Sequence, residues 1–284
     1  MQNFCTKDNR QQVYFLDKKT GSSGKTNIVN VAQEKDFYVD VSQQDKDYFE
    51  KYYSQKVEPV LGMLLNHIIS ASILGSENTP LLSGQERKTF SNMLVHQMLR
   101  TRNARNLMRE KADTTSATLV TQLLQIPELK KRKDLIAVAR KHYKLSENIF
   151  KEISLPLAID ENRLTKYISL IDSMLCTFYY NKTDVDFITS DCPICIKQMS
   201  TDALGLGVAG IGNIDCMIIY PIAPKIAAVL FHRDFILASG FETFESRKCP
   251  ILQPQIINAL NRLQFLQCNR QIYARNSLER YILE

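Results

Sequence analysis

The ten residues Phe187-Ile188-Thr189-Ser190-Asp191-Cys192-Pro193-Ile194-Cys195-Ile196 constrain this chain more than any other stretch. Phe187 to Ser190 reads as a buried strand, apolar and β-branched, bounded by turn residues. An acid at the end of a buried strand needs compensating partners, because a desolvated carboxylate is costly. Asp191 therefore calls for groups supplied from elsewhere. The stretch also divides the sequence into a helical, basic part before it and a strand-rich part after it.

Before it, Gln12 to Leu16 predicts a strand, Lys18 to Gly24 a turn-rich link, and Asn27 to Val31 a second strand. Ser42 with Asp45 and Asp47 marks a helix start, and Pro59 kinks or restarts that helix. Ser83-Gly84-Gln85-Glu86 has the form of a capping box. The helix it opens is expected to reach about Lys111, with Phe90, Met93 or Leu94, Ala104 and Met108 on one stripe. Gln97 and Arg100 fall on that same stripe, so both need hydrogen-bond partners and Arg100 needs an anion. Further helices are expected over Thr115–Gln125, Glu128–Tyr143 and Arg163–Tyr180. Beyond the dividing stretch, Met217 to Ile222 and Ala227 to Phe231 predict an antiparallel pair joined through Pro221 and Pro224. A last helix is expected from Pro254 to about Asn276.

The expected fold class is α+β in a single domain, 1–284. It comprises an N-terminal β-hairpin (1–41), a central helical bundle (42–180) and a C-terminal small mixed sheet closed by a helix (181–284).

Charge is uneven. Between Gln85 and Leu145 there are 14 Lys and Arg against 5 Asp and Glu, a net of +9, so the remainder carries −3 of the chain's +6. Such a segment attracts phosphates or an acidic partner, and equally describes solvated helix faces. The expected partner is nucleic acid or another anionic ligand, met by Arg100, Arg102, Arg105, Lys130, Lys131, Arg132 and Lys133. The most apolar run, Val60 to Leu74, contains Asn66 and His67 and reads as too short to span a bilayer, so no membrane partner is expected. Seven Cys at irregular spacing, with no signal peptide at the start, predict free thiols and a cytoplasmic setting.

Several motifs fail on their surroundings. Gly205-Leu206-Gly207-Val208-Ala209-Gly210 matches a dinucleotide fingerprint, but no helix has room to follow it. Cys192-Pro193-Ile194-Cys195 lacks a second C-x-x-C, although Cys216, His232 and Cys249 are available as zinc ligands, and a redox pair would open a better helix. Asp184 and Asp186 form a D-x-D without the following E-x-K of a restriction-type nuclease. No cofactor is expected, and no residue set here identifies a metal site.

Asn3-Phe4, Asp17-Lys18, Asp36-Phe37-Tyr38, Glu58-Pro59, Gln97 with Arg100-Thr101, Thr189-Ser190-Asp191 with Pro193, and Pro221 with Pro224 recur in order along the chain. In this order they resemble the bacterial domain-of-unknown-function family numbered 4238. Cys192 stands where that pattern has Asn, and the His-Pro opening of the pattern is absent here. The resemblance supports a site and implies no reaction. The site expected from residues and resemblance together is Gln97, Arg100, Ser190 and Asp191. In it Arg100 would hold phosphate and Asp191 would act as base or metal ligand, in a protein that binds or cleaves a phosphate-bearing ligand such as nucleic acid, with hydrolase or nuclease-like chemistry if it is an enzyme. The alternative is a non-enzymatic interaction protein in which Arg100 and Asp191 form a structural ion pair.

Overall fold

The computed structural model describes residues 1–31, 45–130, 132, 134, 136–138, 144, 146–199, 210–235 and 238–279. Asp36-Phe37-Tyr38, the cap at Ser42, Gly205 and Gly207 of the 205–210 motif, Lys131 and Lys133 lie outside the described residues.

The α+β class holds, built on two sheets. Strands β1 (Gln12–Asp17) and β2 (Ser23–Asn27) form the N-terminal hairpin. Helices α1 (Tyr48–Tyr52), α2 (Glu58–Leu74), α3 (Gly84–Leu99), α4 (Arg102–Leu123), α5 (Pro127–Lys130), α6 (Glu147–Leu157) and α7 (Glu161–Ser173) follow. Then come β3 (Leu175–Asn181), β4 (Thr189–Ser190), β5 (Cys195–Gln198), β6 (Cys216–Ala223), β7 (Ile226–Phe231) and β8 (Lys248–Ile251), and the chain closes with α8 (Pro254–Gln267) and β9 (Gln271–Ala274). The larger sheet runs β5-β6-β7-β3-β8, antiparallel except for the parallel β3–β8 pair. The smaller runs β2-β1-β9-β4, antiparallel throughout.

The larger sheet is the middle layer. Alternation along a strand sends successive side chains to opposite faces. In β6, Ile218 and Tyr220 pack against Leu61, Leu64, Phe90 and Leu94 of the helices. Met217 and Ile219 face the other way, onto a core with Ile257, Leu260 and Leu263 of α8, Phe187 and Tyr273. Two buried cations tie helix ends to this core. Arg87 donates to the carbonyls of Ile171 and Met174 at the end of α7, and Lys248 donates to those of Ser72 and Gly75 at the end of α2. Cations at a helix C-terminus meet its unpaired carbonyls and its dipole.

Several boundaries differ from expectation. The helix expected over Arg163–Tyr180 stops at Ser173, and Leu175–Asn181 is a central strand. Cys176-Thr177-Phe178-Tyr179-Tyr180 is strand-forming by composition, and Phe178 matched the helical stripe only by coincidence of spacing. The last helix stops at Gln267, so Tyr273 belongs to a strand that pairs with Phe15. The helix expected to reach Lys111 breaks at Arg100, where Thr101 caps a new helix by accepting from the Ala104 amide at 3.2 Å. The second hairpin strand is Ser23–Asn27 rather than Asn27–Val31. The link is tight because Asp17 accepts the Lys19 and Thr20 amides and Gly21 takes φ 71°, which suits glycine. The buried strand expected over Phe187–Ser190 pairs only at Thr189 and Ser190.

The apolar run Val60–Leu74 is part of a longer helical stretch. Tyr48–Leu74 spans 27 residues, and its most apolar 18-residue window has a mean hydropathy of 1.5, long and apolar enough to cross a membrane by length and composition. Its inner face, Leu61, Leu64 and Ile68, is buried in the core, and Met63, Ile73 and Leu74 are exposed.

Candidate functional site

The dividing stretch is an irregular backbone held by side chains. Residues 186–194 pair in a sheet only at Thr189 and Ser190, with β9, before β5 begins at Cys195, which leaves buried amides and carbonyls needing partners. Helix α8 supplies them from Asn261, Gln264 and Gln267, spaced three apart and therefore on one face. Asn261 accepts from the Ile188 amide at 3.0 Å and donates to the Asp186 carbonyl at 2.8 Å. Gln264 accepts from the Ser190 hydroxyl at 2.8 Å and donates to the Pro193 carbonyl at 2.7 Å. Gln267 binds both the amide and the carbonyl of Ile196, at 3.0 and 2.7 Å.

This zipper delivers Asp191 to the turn between α8 and β9. Its carboxylate accepts three consecutive amides, those of Asn269 (2.9 Å), Arg270 (2.8 Å) and Gln271 (3.1 Å). Successive amides turned inward form a concave anion site, and here the chain fills it with its own acid. Burial raises the Asp191 pKa above the ordinary carboxylate value, opposed by those amides and by the Cys192 thiol. On the other side of the turn, Arg270 Nε donates to buried Asp17 at 2.5 Å.

The turn forms part of the rim of a cavity of 1420 Å³. Gln97, Arg100, Ser190 and Asp191 all line it, together with the opening residues Met1–Phe4, Glu58, Tyr220 and Arg270. The expected ion pair is not the one made. Arg100 caps the end of α3, reaches Glu58 through Nη2 at 2.8 Å and lies 5.7 Å from the Tyr53 ring centroid. Asp191 is saturated by backbone, so as general base or metal ligand it would first have to release the turn. Ser190 is likewise engaged, since its hydroxyl also accepts the Cys192 amide at 3.1 Å.

Two groups on the wall are different. Tyr220 is only 6% exposed, and among the described residues nothing hydrogen-bonds its hydroxyl. Burial pushes its pKa up to about 12, against the pull of nearby Arg100. Gln97, half-buried, also makes no hydrogen bond among the described residues.

The remaining basic candidates are dispersed. Arg102 lines the cavity at the start of α4, with Arg105 one turn on. Lys130 ends α5, and exposed Arg132 pairs with Asp134 at 2.7 Å. Cys192 is buried and its thiol is pushed up to about 11, chiefly by burial, the opposite of a redox-active thiol. Asp186 is drawn to Lys225 at 2.7 Å. Among the described residues no group of three or more His, Cys, Asp or Glu is placed to hold a metal.

A family model described as protein of unknown function (DUF4238) matches residues 1–277. The chain belongs to this family. Comparisons with curated proteins and with solved structures found no match. The DUF4238 motifs named above come from distant parts of the chain, yet most meet at the cavity. Asn3, Phe4, Glu58, Gln97, Arg100, Thr101, Thr189, Ser190, Asp191, Pro193 and Pro221 all line it. Sequence reasoning missed Tyr220 and the carboxamides of α8. Tyr220 sits in an apolar strand and gave no signal. Asn261, Gln264 and Gln267 did, since amides at helical spacing beside inward Leu260 and Leu263 imply a buried polar face.

Proposed function

We propose that this cavity binds a phosphate-bearing ligand, with Arg100 as the charged anchor and Gln97 and Tyr220 as neutral contacts. The observation that carries the reading is the pair of unpartnered polar groups, Gln97 and buried Tyr220, on the wall that holds Arg100. With no protein partner to give up among the described residues, each can turn a hydrogen bond to a ligand oxygen at little cost. Arg100 now faces Glu58, whose side chain is about half exposed. An exposed ion pair contributes little, about 0 to 1 kcal/mol, so exchanging Glu58 for phosphate is inexpensive. The start of α4 at Thr101 and Arg102 adds favourable helix-terminal amides.

Nucleic acid is the extended form of this reading, and a hydrolase or nuclease its catalytic form. Both have weaker support. Arg100, Arg109 and Arg132 each face an acid, and the carboxylate expected to act as base is held on three amides. The same observation favours a second reading, a non-enzymatic protein in which Asp191 is purely structural. All seven cysteines are unpaired and buried, which supports a reducing, cytoplasmic setting.

Calorimetric titration with phosphate compounds tests the proposal. Arg100→Lys should weaken binding about tenfold, because an ammonium cannot replace a planar, bidentate donor. Equal affinity in the native protein and in Arg100→Ala would remove Arg100 from the site. Retention on single-stranded and duplex nucleic acid at low salt, lost steeply as salt rises, would extend the reading to a polymer.

A further inference from the structure

The cavity wall is divided by charge. Residues 46–58 bring Asp47, Glu50 and Glu58, with Lys46 beside them. The α3–α4 junction and the turn after α8 bring Arg100, Arg102 and Arg270. The two sides touch at the Arg100–Glu58 pair. With Asp191 included, four cationic side chains face four carboxylates, so the side-chain lining is formally balanced, and the α-amino group of Met1, its pKa lowered by burial and by Arg100, lies beside them.

That balance selects against a polyanion. A nucleic-acid strand carries a phosphate on every nucleotide, and a second or third phosphate would meet the carboxylate side, where like charges repel. Ionised carboxylates only accept hydrogen bonds, so their complement is a ligand hydroxyl or amine. Arginine is suited to a single phosphate group through paired donors. Tyr220, buried and without a partner among the described residues, supplies the neutral contact between the two sides.

We propose, resting on the phosphate-binding reading above, that the ligand is a small phosphomonoester with a hydroxyl-rich body, a sugar phosphate or nucleoside monophosphate. Arg100 takes the single phosphate, and Glu50 and Glu58 take the sugar hydroxyls. Glu58 joins the two halves, because one of its oxygens meets Arg100 and the other is left for a hydroxyl.

The test is calorimetric titration of the full chain with inorganic phosphate, a ribose phosphate, adenosine monophosphate, and a short single-stranded RNA. Ribose phosphate should bind about tenfold or more tighter than inorganic phosphate, the effect of one or two hydrogen bonds to charged acceptors. In Glu50→Gln/Glu58→Gln that ratio should fall to about one, while inorganic phosphate binds as well or better because two negative charges are gone. Both carboxylates are exposed, so the substitutions spare the fold. Adenosine monophosphate against ribose phosphate decides whether the base contributes. RNA should bind no tighter than a monophosphate, with a salt slope near that of one phosphate. Equal binding of inorganic and ribose phosphate, or RNA binding much tighter with a steep slope, would overturn the small-ligand proposal and leave the phosphate reading standing. No binding of any of the four would overturn both.

Discussion

The buried face of α8 and the wall of the cavity are both polar, and they solve opposite problems. On α8, Asn261 and Gln264 are fully buried, and each both accepts from and donates to the segment it holds. On the cavity wall, Gln97 and the Tyr220 hydroxyl go unanswered among the described residues, and Arg100 faces the half-exposed acid Glu58 and the Tyr53 ring. A saturated polar cluster contributes to uniqueness of the fold, and an unsaturated one costs stability unless a ligand completes it. Asp191 is the instructive case, because it lines the cavity and yet belongs energetically to the saturated set.

The sharpest way to break this comparison is to remove a carboxamide. Asn261→Leu strands the Ile188 amide and the Asp186 carbonyl in the core, each at about 1 to 3 kcal/mol. Chemical denaturation should therefore show a loss of about 3 kcal/mol or more, and Gln264→Leu should behave alike. A loss below about 1 kcal/mol would mean that the segment is held by packing alone.

Asp191→Asn comes next. An amide side chain offers one acceptor and turns a donor towards three backbone donors. The expected loss is about 2 kcal/mol, in line with hydrogen bonds to a charged group. If the variant kept full stability and lost only an activity, Asp191 would move to the functional set and the comparison would fail.

These two effects also mark what the sequence made legible. The class of fold was readable because α7 carries strong helical periodicity, β6 and β7 are continuous apolar runs, and the Ser83–Glu86 capping box forms as its spacing implies. The need of Asp191 for partners was readable from its place after a buried strand. Their identity was not, because backbone amides have no sequence signature and Arg100 looked like the natural counter-ion. Phe178 and Tyr273 mislead for a related reason: aromatic residues suit a strand and a helix stripe alike, and only pairing with β7, β8 and β1 decides.

His96 gives a smaller, pH-dependent effect. It is buried on α3 among the rings of Tyr52 and Tyr53, and its Nδ1 has no partner among the described residues. Burial lowers its pKa from the usual 6.5, with Glu161 opposing. The unfolded chain therefore takes up the proton first, and stability falls as pH drops through about 6.5 towards the lower folded value, by at most about 1.4 kcal/mol per pH unit. His96→Gln should flatten that slope in denaturation series run across this window. An unchanged slope would show that His96 is not the group responsible.

Tyr220→Phe carries the smallest stability effect and the most pointed contrast with Ser190→Ala. The Ser190 hydroxyl donates to Gln264 and accepts the Cys192 amide, so its removal leaves two buried groups unpaired. A loss of about 1 to 3 kcal/mol follows. The Tyr220 hydroxyl holds nothing among the described residues and opens on the cavity, so deleting it strands no partner. Thermal or chemical unfolding of Tyr220→Phe should stay within about 0.5 kcal/mol of the native chain. Binding should move the other way, with weaker affinity for the phosphate ligand and no change in fold. A Tyr220→Phe chain that lost stability like Ser190→Ala would place Tyr220 among the residues that hold the protein together, and the division between a saturated scaffold and an unsaturated site would have to be redrawn through the floor of the cavity.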